Sequence, residues 1–405
     1  MKHTLLNAAA AFMLLSILAL QSANACLWDR DTLAMEAENF PGLTEIITGR
    51  FDRFPPLHYE MRLERVAKEL ESEPDNLSLY DDAAVACDRL GRSDEAIEWM
   101  AKKRAMLDTL APLGGDLSHH EYTYLANLGT FHIHRWIKNG ADRTNMSDVE
   151  RSQELIAAAI ELNPDAHFGR ERYQLLAIDW LLSDETHPAN NHGTLLNLIP
   201  EEGYATDFHI GYNRRMLSSL GYKDAVQGLS GLIILGNAWE SIDIYLALAY
   251  ALIDQGNSLL AQLAITRVLE LYDAGAKSLS TNLFPEDING SSPFVHIESA
   301  QYLNKITTEY FPAARTEANR WTAARNAYAT ERLQQGLHPD TNPDFWDAWH
   351  ESTSPPDYPK LSWMARNPLY AGMLTALLSV TAVIAILIAF LWIGKRGSGP
   401  PALPA

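Results

Sequence analysis

Between an apolar run at each end of the chain, hydrophobic positions recur three and four apart rather than in alternation. Tyr59 to Leu70, Asp148 to Leu162 and Ser241 to Leu252 all carry this spacing, which places the apolar residues on one side of a 3.6-residue helix. No segment alternates convincingly enough to read as a half-buried strand. Proline and glycine fall between the runs, at Pro55-Pro56, Pro74, Gly114-Gly115, Pro164, Gly256, Pro312 and Pro339, where they end helices and start turns. The pattern predicts an all-α chain of short helices.

Small residues refine this picture. In LYDDAAVACDRLGRSDEAIEWM, residues 79–100, Ala83, Ala84, Gly91 and Ala96 sit at fixed offsets among Tyr80, Leu90 and Met100. A single amphipathic helix needs only an apolar stripe. Small residues at set places are what two helices need to approach closely, with glycine at the turn between them.

Tyr80, Ala83, Ala84, Cys87, Leu90, Gly91, Ala96 and Met100 resemble, in order and spacing, the tetratricopeptide repeat. Cys87 stands where that family has an aromatic residue, and Asp108 where it has a closing proline. Leu125, Leu128 and Gly129 resemble a first helix of a second repeat, with Ser152, Ile156, Ala159 and Pro164 in its partner. Tyr245, Leu248, Ala249, Leu252, Gly256, Ala261 and Ile265 make a third match. Gly49-Arg50-Phe51 before Tyr59 to Leu70, and Leu220-Gly221-Tyr222 before Ala225 to Leu235, are degenerate candidates. The resemblance implies a decorated α-solenoid of antiparallel helix pairs. Its last helix, Ala313 to Gln335, would cap the exposed end of the array with one wet face.

The two apolar ends supply an address. Lys2 and His3 precede a run from Leu5 to Leu20, and Ala23-Asn24-Ala25 matches a cleavage site before Cys26, so residues 1–25 read as a signal peptide. Met373 to Gly394 holds no charge and would reach roughly 33 Å as a helix, enough to cross a bilayer core. Tyr370 and Trp392 sit near its ends, where amphipathic rings prefer the interface. The expected organisation is a repeat ectodomain over 26–338, a tether over 339–366, a transmembrane segment over 367–394 and a short cytoplasmic tail over 395–405. The ectodomain would lie outside the cytoplasm, at the periplasmic face of the cell envelope.

The net charge of −19 argues against nucleic acid as a partner, since phosphates would be repelled. Two cysteines in 405 residues are no disulfide framework. Cys26 and Cys87 could pair in an oxidising compartment, closing a loop worth roughly 4 kcal/mol; alternatively Cys87 is a small apolar residue inside a helix pair. A lipidated Cys26 is the weaker reading, because Ala23 stands where a lipobox has leucine.

Candidate chemistry is sparse. His119, His120, His132 and His134 lie close in sequence, but His132 and His134 are two apart and fall on different helix faces, unlike the four-residue spacing of helical zinc ligands. In the loop His167 to Arg172 the arginines could hold a carboxylate, although a helix entry with Arg170 and Glu171 in water accounts for the same residues. No cofactor motif is present. What remains is surface: the family's concave face, carried over by position, would comprise Asp81, Val85, Asp88, Arg89, Thr130, His134, Asp243, Tyr250 and Asp254. Asp81 and Val85 replace the Lys and Asn of the family's carboxylate clamp, so an acidic C-terminal peptide is not the expected ligand. Four aspartates and a tyrosine would suit a basic or amide-rich segment of a protein partner. The sequence therefore leads to a membrane-anchored scaffold that binds rather than catalyses. Its rivals are a metal-dependent enzyme using the region 119–134 and a self-associating structural envelope protein.

Overall fold

The computed structural model describes residues 41–164, 169–183, 195–198, 216–236, 238–279 and 305–357, together with Arg30, Met373, residues 376–384 and Ile386. Among these the regular structure is helical, without strands. The chain is all-α, as the periodicity predicts.

The helices are α1 (Leu43–Thr48), α2 (Pro56–Ser72), α3 (Leu77–Arg89), α4 (Ser93–Leu110), α5 (Ser118–Lys138), α6 (Ser147–Leu162), α7 (Arg170–Leu182), α8 (Ala225–Ile234), α9 (Ile242–Asp254), α10 (Ser258–Asp273) and α11 (Phe311–Gln334). The three clearest sequence matches fall on the tightly packed hairpins α3–α4, α5–α6 and α9–α10. Their turns are built alike. Gly91 takes φ +72° and Gly256 φ +78°, and the next residue donates back over the helix end, from Arg92 N to Cys87 O at 2.8 Å and from Asn257 N to Leu252 O at 2.7 Å. This left-handed closing residue satisfies the last carbonyls of the helix and favours glycine.

Small residues lie where the helices come closest. Ala83, Ala84 and Ala96 are fully buried. At Gly129 an added Cβ would lie 2.8 Å from Ile156 Cδ1 and 3.2 Å from Leu155 Cβ, and Ser152 Oγ donates to Gly129 O at 2.7 Å. α5 and α6 therefore meet backbone against side chain at this point. Cys87 is a buried free thiol between α3 and α4, its pKa pushed up to about 12 by burial and then by the Glu95 carboxylate. Cys26 and the expected signal peptide lie outside the described residues.

The array is not open. Each helix from α2 to α9 packs on the next, and the succession returns to its start because α10 and α11 pack on α1, and α11 on α2. Ion pairs fasten the closure: Glu317 takes Arg50 at 3.2 Å, Asp52 takes Arg325 Nη2 at 2.9 Å, and Asp340 takes Arg62 Nη2 at 2.6 Å. Arg62 is fully buried, and an unpaired guanidinium there would cost several kcal/mol. α11 thus bridges the two ends of the array, in place of the expected terminal cap.

Residues 339–349, expected to start a free tether, instead fold onto α11. Phe345 is buried, its carbonyl accepts from Tyr328 Oη at 2.9 Å, and the Arg325 guanidinium lies 3.8 Å from the Trp346 ring centroid. No helix among the described residues is long and apolar enough to cross a membrane. Residues 376–384, within the expected span, are helical and exposed throughout; most of the remaining span lies outside the described residues.

Candidate functional site

Helices of the array line an open-sided cavity of about 540 Å³, within the range of small-ligand sites. α5 contributes Thr130, Ile133, His134 and Ile137; α7 contributes Gln174, Ala177, Ile178, Trp180 and Leu181. Asp88 from α3, Leu232 from α8, and Asp243 and Ile244 from α9 add to the wall, and the exposed Lys138, Glu240 and Lys277 stand along its lining. Four of the expected concave-face residues, Asp88, Thr130, His134 and Asp243, therefore line one space.

The more buried polar members of this wall are already committed. His134 Nδ1 faces the Asp88 carboxylate at 2.9 Å and Nε2 faces Gly236 O at 3.2 Å. An imidazole with an oxygen acceptor at each nitrogen satisfies both only as the imidazolium. Burial opposes that charge, but the Asp88 charge and hydrogen bond outweigh it, and the His134 pKa lies above its ordinary value. With neither nitrogen offering a lone pair, His134 is unsuited to act as a general base. Asp243 accepts from Ser278 Oγ and from Leu279 N at 2.9 Å; burial raises its pKa despite these bonds. Gln174 Nε2 donates to Thr130 Oγ1 at 3.0 Å, and Thr130 Oγ1 to Ala126 O at 2.9 Å.

The other expected groove residues lie elsewhere. Asp81 is buried between α3, α4 and α5, where it accepts from Lys103 Nζ at 2.6 Å and Asn127 Nδ2 at 2.9 Å. Asp254 is buried and accepts from Leu217 N at 3.2 Å. Arg89 reaches across to Leu235 O at 2.8 Å, and Tyr250 is half-buried against the main core. The expected open row of four acidic side chains is not what these positions form: each carboxylate is at most 7% exposed and already accepts a proton donor. The sequence signal for this was Lys103, which shares the apolar stripe of α4 with Met100 and Leu107. A lysine in a buried stripe requires an internal partner.

The histidines do not converge. His132 Nδ1 lies 2.7 Å from Asp148, His134 faces Asp88, and the His119 and His120 rings contact each other at 5.4 Å. His167 lies outside the described residues. Arg170 and Glu171, expected in water, are both buried, and Glu171 accepts from Tyr122 Oη at 2.8 Å.

Among the described residues one group has the spacing of a metal site: His58, His338 and Asp340. Its donor set does not fit a cation. The Asp340 oxygens accept from Arg62 and from Arg65, and those guanidinium groups would repel a metal ion. His338 Nδ1 accepts from Asp340 N at 3.2 Å and Nε2 donates to His58 O at 3.0 Å. Burial and the neighbouring His58 push the His338 pKa down to about 4. This cluster joins the chain's ends.

The cavity is thus the best-formed candidate site, apolar in most of its wall and internally neutralised at Asp88 and His134. No protein-family model, curated protein or solved structure matches the chain.

Proposed function

We propose that the protein is a membrane-tethered, extracytoplasmic binding protein, and that the cavity inside its helix ring takes up an apolar segment of a protein or peptide partner. One observation carries this reading: the cavity is walled by several helices of the array, α3, α5, α7, α8 and α9 among them, and coincides with four concave-face positions that the repeat resemblance selects. The partner's character follows from the wall. Asp88 is neutralised by His134 and Asp243 is held by residues 278–279, which leaves charge only at the exposed Lys138, Glu240 and Lys277, whereas Ile133, Ile178, Trp180, Leu181, Leu232 and Ile244 offer apolar area at roughly 25 cal/mol per Å². Rigid helices would present that area without the entropy cost of ordering a loop.

The tether rests on Met373 to Gly394. Leu377, Leu378, Val380, Val383, Ile384 and Ile386 are each at least 50% exposed and face every direction around the helix. A helix apolar on all sides and uncovered by protein suits lipid.

Selection of displayed peptides on the full chain in nanodiscs tests the proposal. Retained peptides should share an apolar core motif and lose binding to Ala177→Phe, which fills the cavity from α7. Peptides that bind Ala177→Phe as well as the wild type would place the binding surface elsewhere.

A further inference from the structure

Away from the cavity, three arginines from separate elements gather around the C-terminal end of α1. Arg53 comes from the α1–α2 link, Arg267 from α10 and Arg315 from α11. Arg315 Nη1 donates to Thr48 O, and Arg53 Nη2 donates to Gly49 O at 3.0 Å. Both guanidinium groups thus lie against the same end of a short helix. An added Cβ on Gly49 would sit 3.0 Å from Arg315 Nη1 and 3.7 Å from Arg53 Nη2.

The charges at this point do not balance. Glu270 serves two of the cations, taking Arg267 Nη1 at 2.7 Å and Arg315 Nε at 2.9 Å. Among the described residues no carboxylate hydrogen-bonds Arg53, whose remaining acceptor is Thr322 Oγ1 at 3.4 Å. The carbonyl end of a helix contributes about half a negative charge at most, and the nearby Glu240 is exposed to water. Three guanidinium groups thus lie around Glu270, which among the described residues is the one carboxylate that hydrogen-bonds any of them. The Arg53 pKa is lowered by burial first and then by Arg315 and Arg267, against the opposing influence of Tyr245 and Glu240. Arg267 is 5% exposed, and its Nε, like that of Arg53, is buried without a hydrogen-bond acceptor. The Trp239 ring covers the Arg53 guanidinium at 4.4 Å.

We propose that Arg53, Arg267 and Arg315 form a binding site for a small oxyanion, a phosphate or carboxylate group, seated beside Glu270 and Trp239. Guanidinium forks match both groups geometrically, and an arriving anion would neutralise the charge that Glu270 leaves uncompensated. Arginine capping of α1 explains the contacts to Thr48 O and Gly49 O. It does not explain three cations where one carboxylate, Glu270, supplies the hydrogen-bonded counter-charge.

The experiment uses the full chain in nanodiscs, with inorganic phosphate in one arm and acetate in the other replacing chloride at constant ionic strength. The melting temperature of the wild type should rise saturably in at least one arm. Arg53→Gln should fold, because it removes repulsion, and should weaken the apparent affinity roughly tenfold, the loss expected for a charge-assisted hydrogen bond. Arg53→Lys, which keeps charge but not the fork, should fall between. Independently of any variant, the bound anion should protect Arg53 and Arg315 from phenylglyoxal in the wild type, as read by mass spectrometry. No saturable rise in either arm, or equal rises in wild type and Arg53→Gln with no protection, would overturn the proposal.

Discussion

His134 bonds the Asp88 carboxylate at 2.9 Å through Nδ1 and the Gly236 carbonyl at 3.2 Å through Nε2, tying α5 to α3 and to the end of α8. One side chain thereby joins three elements of the helix ring at the cavity wall, and it does so only while protonated. The packing of the ring is accordingly linked to pH.

The sign of that linkage follows from the raised His134 pKa. The folded state holds the proton more tightly than the unfolded chain, so the contribution is complete below the ordinary histidine value near 6.5 and is lost as pH rises through the folded value. Urea midpoints should therefore fall as pH is raised across this window. In Asp88→Asn the imidazolium loses its carboxylate; stability should drop by about 3 kcal/mol at low pH, as when a buried ion pair is broken, and the alkaline decline should flatten.

Gly129→Ala sets two effects against each other. Alanine gains about 1 kcal/mol of helix propensity over glycine. Its Cβ, however, would lie 2.8 Å from Ile156 Cδ1, and Ile156 is fully buried. Overpacking at about 1–3 kcal/mol should win. The melting temperature should fall, and Ile156→Val should restore part of it in the double variant.

Asp81 and Lys103 form an ion pair whose lysine is wholly buried. Asp81→Asn or Lys103→Met alone should each destabilise the fold by about 3–5 kcal/mol, because each leaves an uncompensated charge. Replacing both with apolar residues should cost far less than the sum. A double-mutant cycle in urea measures the coupling.

Membrane attachment is testable separately. If the proposed tether holds, deleting Asn367 to Ala405 should move the protein from the membrane fraction to the soluble fraction, while leaving the Arg325, Tyr328 and Trp346 contacts intact.

The helix pairs were legible in the sequence because each rests on local signals. Gly91 and Gly256 mark turns, and Ala84 or Gly129 marks where two backbones approach. Ring closure was not legible, since Arg62 and Asp340 are 278 residues apart and neither carries a local mark of its partner. Asp340 and Trp346 lie in a stretch whose proline and aspartate content reads as a tether, yet Arg62, Arg65 and Arg325 draw it onto the helices. Of the expected concave-face positions, Asp88, Thr130, His134 and Asp243 line the cavity, whereas Asp81, Arg89, Tyr250 and Asp254 do not. Repeat register could not show that His134 neutralises Asp88, because register fixes direction and not pairing. The apolar residues that α7 adds to the wall, Ile178, Trp180 and Leu181, were missed because α7 lies outside the three clear repeat matches.

The most direct measurement is the dissociation constant of a selected apolar peptide for the wild-type chain, for Ala177→Phe and for the exposed-surface control Lys68→Gln, read by fluorescence polarisation. Filling the cavity should weaken binding by at least about tenfold, the loss of roughly 1.4 kcal/mol of apolar contact, with Lys68→Gln unchanged. Equal affinity for the wild type and Ala177→Phe would contradict the account.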